Sequence, residues 1–189
     1  MTINANKAFS LLASMILITC LINLQEGVAA ETRHHEAHEH GVAHLNIALE
    51  GENLIIEFTS PAINIVGFEH HPTTEKERAA VKQALQNLSK GEALFVLSPG
   101  AGGKLANFSA KTDVDESDSG STPDSEEEEH HSDFRVEYHF LCKNPEKLEQ
   151  IQVMLFQSFP GIETIEAQLL TPKRQTAVEL NRKSNKISM

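Results

Sequence analysis

Cysteine is scarce in this 189-residue chain, which contains only Cys20 and Cys142. Cys20 lies in an N-terminal segment that we expect to be removed, so the remaining chain has one cysteine and cannot form an internal disulfide. A chain of about 150 residues can bury a sufficient hydrophobic core without such a bond. The fold is therefore expected to depend on packing alone.

Long apolar runs are also scarce, and the one that is present covers residues 8–24. Lys7 precedes it and the small residues 28–30 follow it, an order typical of a secretory signal peptide. We predict that residues 1–30 are a signal peptide cleaved after Ala30 and that the mature protein is periplasmic. Seventeen mostly apolar residues are marginal for a permanent span, so we expect no stable membrane insertion after cleavage.

Basic residues are missing from residues 113–133, which contain ten acidic residues. Outside this segment and the signal peptide, the chain has 16 acidic and 15 basic residues, so the acidity belongs to one segment. Such a balance is a poor match for nucleic acid or an anionic membrane, and we expect neither as a partner. Residues 113–132 have no hydrophobic pattern, which predicts a disordered acidic insertion outside the core.

Motifs of familiar enzyme classes are missing as well. The sequence His35-Glu36-Ala37-His38 does not have the H-E-x-x-H spacing that places two zinc ligands on one helical face. There is no G-x-S-x-G, no phosphate-binding glycine loop and no C-x-x-C. We therefore expect that the protein is not an enzyme.

The rest of the sequence predicts a histidine-rich leader at residues 31–41 and a single α+β domain at residues 42–189. Alternating apolar residues on either side of Gly51-Glu52-Asn53 predict a β-hairpin that ends at Pro61. Thr74 and Glu77 have the spacing of a capping box and predict a helix that ends near Gly91.

A second helix is predicted from Asn144 to Phe159, because Asn144-Pro145 is a favourable helix start and apolar residues recur at helical spacing after it. Further strands are predicted at residues 94–97, 104–111, 134–142, 162–170 and 175–180. The two halves then share one order of elements, which indicates two related half-repeats. The predicted architecture is an antiparallel sheet with two helices packed on it.

Ten histidines are the main chemical feature of the chain. Imidazole is the commonest protein ligand of zinc and also binds copper and nickel, while carboxylates supply further donors. We therefore predict a zinc-binding protein that could also take up Cu²⁺ or Ni²⁺ in vitro. The candidate ligands are His38, His40, His44, Glu69, His70, His71, His130 and His131.

The pair His38 and His40 is the first candidate, because an extended x-His-x-His segment places both rings on one side. His44 joins that side if the strand begins early. The loop sequence Glu69-His70-His71 could complete the site. The alternative is that these are solvent-exposed histidines without a shared ligand.

The remaining histidines suggest a different role. His130 and His131 follow four glutamates and fit a flexible arm that collects metal ions with low affinity. Cys142 lies on an apolar strand face with Tyr138 and Phe140, which favours a buried, inert thiol over a metal ligand.

Several short segments resemble the ZrgA-type periplasmic zinc-uptake proteins: residues 38–46 (HEHGVAHLN), Pro61-Ala62, Gly67-Phe68-Glu69-His70 and Leu170-Thr171-Pro172. The resemblance covers essentially the whole mature chain. It implies a periplasmic protein of Gram-negative bacteria that assists zinc acquisition, with a variable insertion that is mainly acidic here.

The resemblance also implies a cysteine near Gly103 or Lys104 in many relatives, where it could pair with the equivalent of Cys142. This chain lacks that residue, so the disulfide should be absent. Two functions remain open. The protein captures or buffers zinc and passes it to a transporter, or it is a structural or interaction domain of the envelope whose histidines bind metal incidentally.

Overall fold

The computed structural model describes residues 39–115 and 132–189, all of which lie in the larger of two units of the chain, residues 37–189. Among them, no helix has the length and apolar character needed to cross a membrane. The predicted signal peptide, the leader up to His38 and residues 116–131 of the predicted insertion lie outside this description.

The strands are β1 (Val42–Glu50), β2 (Asn53–Pro61), β3 (Phe95–Leu97), β4 (Gly103–Thr112), β5 (Asp133–Cys142), β6 (Gln150–Val153), β7 (Thr164–Thr171), β8 (Arg174–Asn181) and β9 (Lys186–Ser188). The helices are α1 (Ala62–Val66), α2 (Glu75–Leu88), α3 (Gly91–Leu94) and α4 (Leu155–Ser158).

The predicted hairpin is present as β1 and β2. Leu45 pairs with Phe58 and Ile47 pairs with Ile56, and all four side chains are buried. Gly51, in the turn between the strands, has a φ of 55°, a left-handed conformation that glycine adopts without steric cost. The alternating pattern and the turn residue therefore predicted this element correctly.

The main sheet has six strands in the order β4-β5-β2-β1-β7-β8. Its neighbours are antiparallel except β1 and β7, which run parallel. The α+β class is confirmed, but the sheet is mixed and not antiparallel as predicted. A parallel pair requires a long crossover connection, and β1 and β7 are separated in the chain by all the elements between them. A second sheet contains β3, β6 and β9 in that order.

One hydrophobic core is shared by the inward residues of the sheets and helices. Tyr138 on β5 is fully buried, and its hydroxyl donates a hydrogen bond of 2.8 Å to the Leu88 carbonyl at the end of α2. Burial raises the pKa of the Tyr138 phenol, so this group stays a neutral donor. A Cβ atom at Gly91 would lie 2.7 Å from the Tyr138 ring, which explains the glycine at the start of α3.

The helix predicted from the capping box is confirmed as α2. The Thr74 Oγ1 accepts a hydrogen bond from the Glu77 N–H at 3.2 Å, and Glu77 Oε2 accepts one from the Thr74 N–H at 2.9 Å. Both bonds satisfy N–H groups that the first helical turn leaves without partners. The helix ends at Leu88, slightly before the predicted end.

The second predicted helix is wrong. Residues Pro145–Lys147 form one 3₁₀ turn, Gln150–Val153 form β6, and α4 covers only four residues. Ile151 and Val153 alternate into the core as strand residues, between β3 and β9. The apolar spacing in this segment is compatible with both periods, and pairing with distant strands selects the extended one. The half-repeats, which required this helix, stay unconfirmed.

The ends of the predicted acidic insertion belong to the core. Val114, in a 3₁₀ turn at Asp113–Asp115, is 1% exposed. Ser132 is buried and its carbonyl accepts a hydrogen bond of 2.7 Å from the Ala62 N–H. The expectation that all of residues 113–132 lie outside the core is therefore wrong at both ends.

Candidate metal centre

The start of β1 is positioned by a tight turn and a buried amide. The Val42 N–H donates to the Glu39 carbonyl at 3.1 Å, and Gly41 inside this turn has a φ of 88°. Asn64 of α1 accepts a hydrogen bond from the Gly41 N–H and donates one to the Val42 carbonyl, both at 2.8 Å. Because Asn64 is almost completely buried, these bonds fix the position of the residue before Gly41, His40.

The same turn is joined to the segment before β7. The Gly41 carbonyl accepts hydrogen bonds from the Glu163 and Thr164 N–H groups, at 2.8 and 3.0 Å. Arg182 supports that segment from the other side, since its guanidinium donates to three carbonyl oxygens, those of Phe156, Pro160 and Ile162. The backbone next to His40 is therefore held by elements distant in the sequence.

His40 and Glu69 form the first histidine–carboxylate pair. His40 Nε2 lies 3.6 Å from Glu69 Oε1, with 64% of the His40 side chain exposed and only 17% of the Glu69 side chain. This distance exceeds that of a normal hydrogen bond. Two ligand atoms at about 2.0–2.2 Å from one tetrahedral zinc ion lie about 3.4 Å apart, so the pair has a spacing compatible with shared coordination.

His70 and His71 are both oriented by backbone carbonyl oxygens. His70 Nδ1 lies 3.0 Å from the His71 carbonyl, and His71 Nδ1 lies 3.1 Å from the Val114 carbonyl. A carbonyl oxygen only accepts, so each Nδ1 must carry the proton, and in the neutral ring each Nε2 then has a lone pair. This arrangement, in which one ring nitrogen donates to a carbonyl, is common for histidines that bind zinc through the other nitrogen.

His70 also faces a carboxylate at the start of α2. Its Nε2 lies 3.9 Å from Glu77 Oε1, and its ring stacks on Phe68 with centroids 5.0 Å apart. The N–H groups of Thr74 and Thr73 hold the pKa of the Glu77 carboxyl at about 2, so Glu77 is ionised at neutral pH. Its Oε2 serves the helix cap while Oε1 faces the imidazole. Glu77 therefore places a fixed negative charge beside His70.

His44 lies on β1 and is paired with a different carboxylate. Its Nδ1 is 3.5 Å from Glu166 Oε2 on β7, and both side chains are substantially exposed. The turn at Gly41 interrupts the extended chain between His40 and His44. The early strand start on which a shared side for His44 and His40 depended is not present, since β1 begins at Val42, and the two histidines contact different carboxylates.

The structure thus brings together some predicted ligands and separates others. His40 is joined with Glu69, while His44, His70 and His71 each have their own surroundings. Across residues 39–115 and 132–189, no three histidine, cysteine or acidic side chains are already gathered in a way that could hold a metal ion. The predicted ligands His38, His130 and His131 lie outside the described residues.

Sequence reasoning missed two carboxylates in these pairs. The sequence predicted only a helix-capping role for Glu77, which lies in the first turn of the helix that follows the loop of His70. Glu166 is 122 residues from His44, and no local signal predicts the parallel pairing that joins them. Cys142, in contrast, is buried as predicted, and burial raises the pKa of its thiol, which disfavours the thiolate that binds metal.

Comparison with known proteins also points to metal binding. No curated protein matches the chain significantly. The family model described as ZrgA family zinc uptake protein matches residues 37–189, a range that includes His40, Glu69, His70 and His44. The match covers most of the chain and confirms the resemblance drawn from the short motifs. The chain therefore belongs to the ZrgA family of zinc uptake proteins.

Proposed function

We propose that this protein binds zinc in the periplasm, with His40 and Glu69 at its principal site, and passes the ion to a zinc transporter. Membership of a zinc uptake family supports the choice of ion. The signal-peptide pattern of residues 1–30 supports the compartment.

The observation that carries the proposal is the pair formed by His40 Nε2 and Glu69 Oε1 at 3.6 Å. The carboxylate is mostly buried and therefore prepositioned, whereas the imidazole is exposed. The buried Asn64 amide holds the backbone next to His40, so the backbone entropy lost when this donor binds an ion is reduced. A nitrogen and an oxygen donor at this spacing suit zinc better than calcium or magnesium, which prefer oxygen alone.

Two further donors complete the proposed site. His38 precedes His40 by two residues, and we propose it as a ligand on the basis of this spacing. His70 follows Glu69 directly, and we propose that its Nε2, which faces Glu77 in the structure, turns towards the ion on binding. The exposure of His40 leaves one side of the ion accessible, which suits a protein that must release its metal to a partner.

The proposal is tested by zinc titration of the mature protein in competition with a chelator of known affinity. Replacing His40 with Ala and Glu69 with Gln should each weaken the tightest site by roughly tenfold or more, because even the loss of a residue that only orients a ligand typically costs about 10–100-fold in affinity. His139→Ala is the matched control, since His139 is engaged with Asn53 Oδ1 at 2.8 Å on β2. Unchanged affinity in both ligand variants would contradict the site.

The same titration separates the two functional classes. A zinc carrier binds a stoichiometric amount of zinc saturably, and the His40 and Glu69 variants lose that binding. An envelope interaction domain with incidental histidines would show only weak, non-saturating binding that scales with the number of histidines removed.

A further inference from the structure

The face of the main sheet that points away from the core carries a row of ionisable side chains. His44 on β1 is the register partner of Glu166 on β7, and Glu166 is the register partner of Glu179 on β8. Directly paired residues of neighbouring strands project to the same side of a sheet. His44, Glu166 and Glu179 are thus consecutive members of one row on three adjacent strands.

The spacing of His44 and Glu166 already suits the coordination of one zinc ion. His44 Nδ1 lies 3.5 Å from Glu166 Oε2, which is longer than a hydrogen bond and close to the separation of about 3.4 Å between two ligands of one zinc ion. Side chains directly opposite each other on antiparallel strands have Cβ atoms about 4.5–5.5 Å apart. The exposed Glu179 carboxylate can therefore reach the same ion by a change of rotamer.

The pairing of Glu166 with Glu179 places two like charges directly opposite each other, which destabilises a sheet. Arg135, which belongs to the same row two strands beyond His44, does not offset them, because its guanidinium binds Asp113 and Asp133 at 2.8 and 2.9 Å. A divalent cation between the two carboxylates would convert this repulsion into attraction. The neighbouring imidazole makes zinc a better occupant than calcium or magnesium.

We propose that His44, Glu166 and Glu179 form a second zinc site, separate from the one at His40 and Glu69. The turn at Gly41 separates the two histidines, and the two carboxylates come from different parts of the chain: the loop between α1 and α2 supplies Glu69, and β7 supplies Glu166. Because its ligands are exposed and Glu179 must move, this second site binds zinc more weakly. It rests on the proposed function for the identity of the ion, but not on the residues of the principal site.

The test is a zinc titration by calorimetry of the mature protein and of single-site variants. The wild type should bind zinc in a tight and a weaker class. His44→Ala and Glu179→Gln should each weaken the weaker class at least tenfold and leave the tight class unchanged, whereas His40→Ala should do the opposite. Zinc-induced shifts of the His44 ring signals in NMR spectra provide an independent readout. The control is Glu57→Gln, which alters another pair of opposed carboxylates on this face, Glu57 opposite Glu137.

The outcomes distinguish failure of this site from failure of the proposed function. Loss of the weaker class in His44→Ala and Glu179→Gln, but not in Glu57→Gln, supports the second site even if the His40 variant binds normally. Identical zinc binding in wild type, His44→Ala and Glu179→Gln overturns it. An equal effect of Glu57→Gln and Glu179→Gln also overturns it, because zinc would then respond to the general negative charge of the face.

Discussion

At the scale of single residues, Asn64 supports the candidate metal centre although it is not proposed as a ligand of the ion. Its side chain is bonded to the Gly41 N–H, the Val42 carbonyl and the Ser60 hydroxyl, which ties the start of β1 to the end of β2. A Cβ atom at Gly161 would lie 2.5 Å from the Asn64 carbonyl oxygen, so the opposite segment packs closely on the same residue. The position of His40 therefore depends on buried neighbours with no metal chemistry.

A second residue-scale feature is the pairing of Gly103 with Cys142 across β4 and β5. A Cβ atom at Gly103 would lie 3.3 Å from Cys142 Sγ, near the value of about 3 Å that an S–S bond of about 2.05 Å imposes. It would also lie 2.4 Å from Leu97 Cδ1, the end of a flexible side chain that can change rotamer. This geometry makes Gly103 the position at which a partner cysteine fits.

We predict that Gly103→Cys in the mature protein forms a disulfide with Cys142 under oxidising conditions. Closing a loop of about 40 residues stabilises the fold by at most about 4 kcal/mol, reduced by the displacement of Leu97. Thiol titration in denaturant should detect no free cysteine, and the melting temperature should fall on reduction. Lys104→Cys is the control, because that exposed residue is in register with Leu141 and should leave both thiols free. Two free thiols in oxidised Gly103→Cys would contradict the register.

Residue chemistry was the most predictable part of the site. Glu69 and His70 were identifiable because they are sequence neighbours in a loop bounded by Gly67 and Pro72. Glu166 was not identifiable, because its contact with His44 depends on a strand pair that only the complete sheet establishes. Local sequence carries the donor types, whereas their combination depends on long-range pairing.

At the scale of secondary structure elements, α2 positions the second histidine–carboxylate pair. The Glu77 side chain accepts hydrogen bonds from the N–H groups of Thr73 and Thr74 at 2.8 and 2.9 Å. These donors lower its pKa from 4.5 to about 2, because they stabilise the charged form. Since the folded-state pKa is below the unfolded-state value, the stabilisation is fully present above about pH 4.5 and is lost as the pH falls towards 2.

We therefore predict that Glu77→Gln, studied without metal, destabilises the protein at pH 7 and that its difference from wild type shrinks between about pH 5 and pH 2. Gln keeps an acceptor oxygen for the cap, so the variant isolates the contribution of the charge. Denaturant unfolding across this pH range is the measurement. Glu75→Gln serves as control, since Glu75 lies in the same helical turn but binds Arg78 at 2.8 Å. A difference that stays constant with pH would contradict the assigned role.

The elements themselves differ in how far local sequence determines them. For α2, the cap and the apolar stripe agree, and the predicted helix is present. For residues 145–159, Asn144-Pro145 starts only a 3₁₀ turn, and pairing of β6 with β3 and β9 overrides the helical spacing. A three-residue strand such as β9, at the very end of the chain, has too little pattern of its own to be predicted.

At the scale of the whole molecule, the central position of β1 determines how the candidate sites are arranged. β1 is hydrogen-bonded to β2 on one side and to β7 on the other. The acidic partners of the two histidines at its start come from different elements: Glu69 from the loop after α1, the helix that follows β2, and Glu166 from β7. Both β1 and these acidic partners belong to the described part of the domain and lie outside residues 116–131.

The connection between β4 and β5 allows a test of whether the candidate sites depend on residues 116–131. Thr112 pairs with Phe134, so the two strand ends are already adjacent. Val114 is buried, its carbonyl is bonded to His71 Nδ1, and Asp113 is bonded to Arg135. A deletion that keeps residues 113–115 and Ser132 retains these contacts, whereas a deletion of residues 113–132 removes them.

We predict that replacing residues 116–131 with a short Gly-Ser linker leaves the melting temperature nearly unchanged or slightly higher, because each halving of a loop lowers its closure cost by roughly 0.6 kcal/mol. The tightest zinc site should persist, while the total amount of zinc bound should fall because His130, His131 and seven acidic residues are removed.

The longer deletion of residues 113–132 should destabilise the protein by about 1.5 kcal/mol or more, since a buried valine is lost. Calorimetric unfolding and chelator competition on both variants provide the measurements. Loss of the tightest site in the shorter deletion would mean that His130 and His131 complete it, and equal stability of the two variants would mean that Val114 contributes nothing to the core.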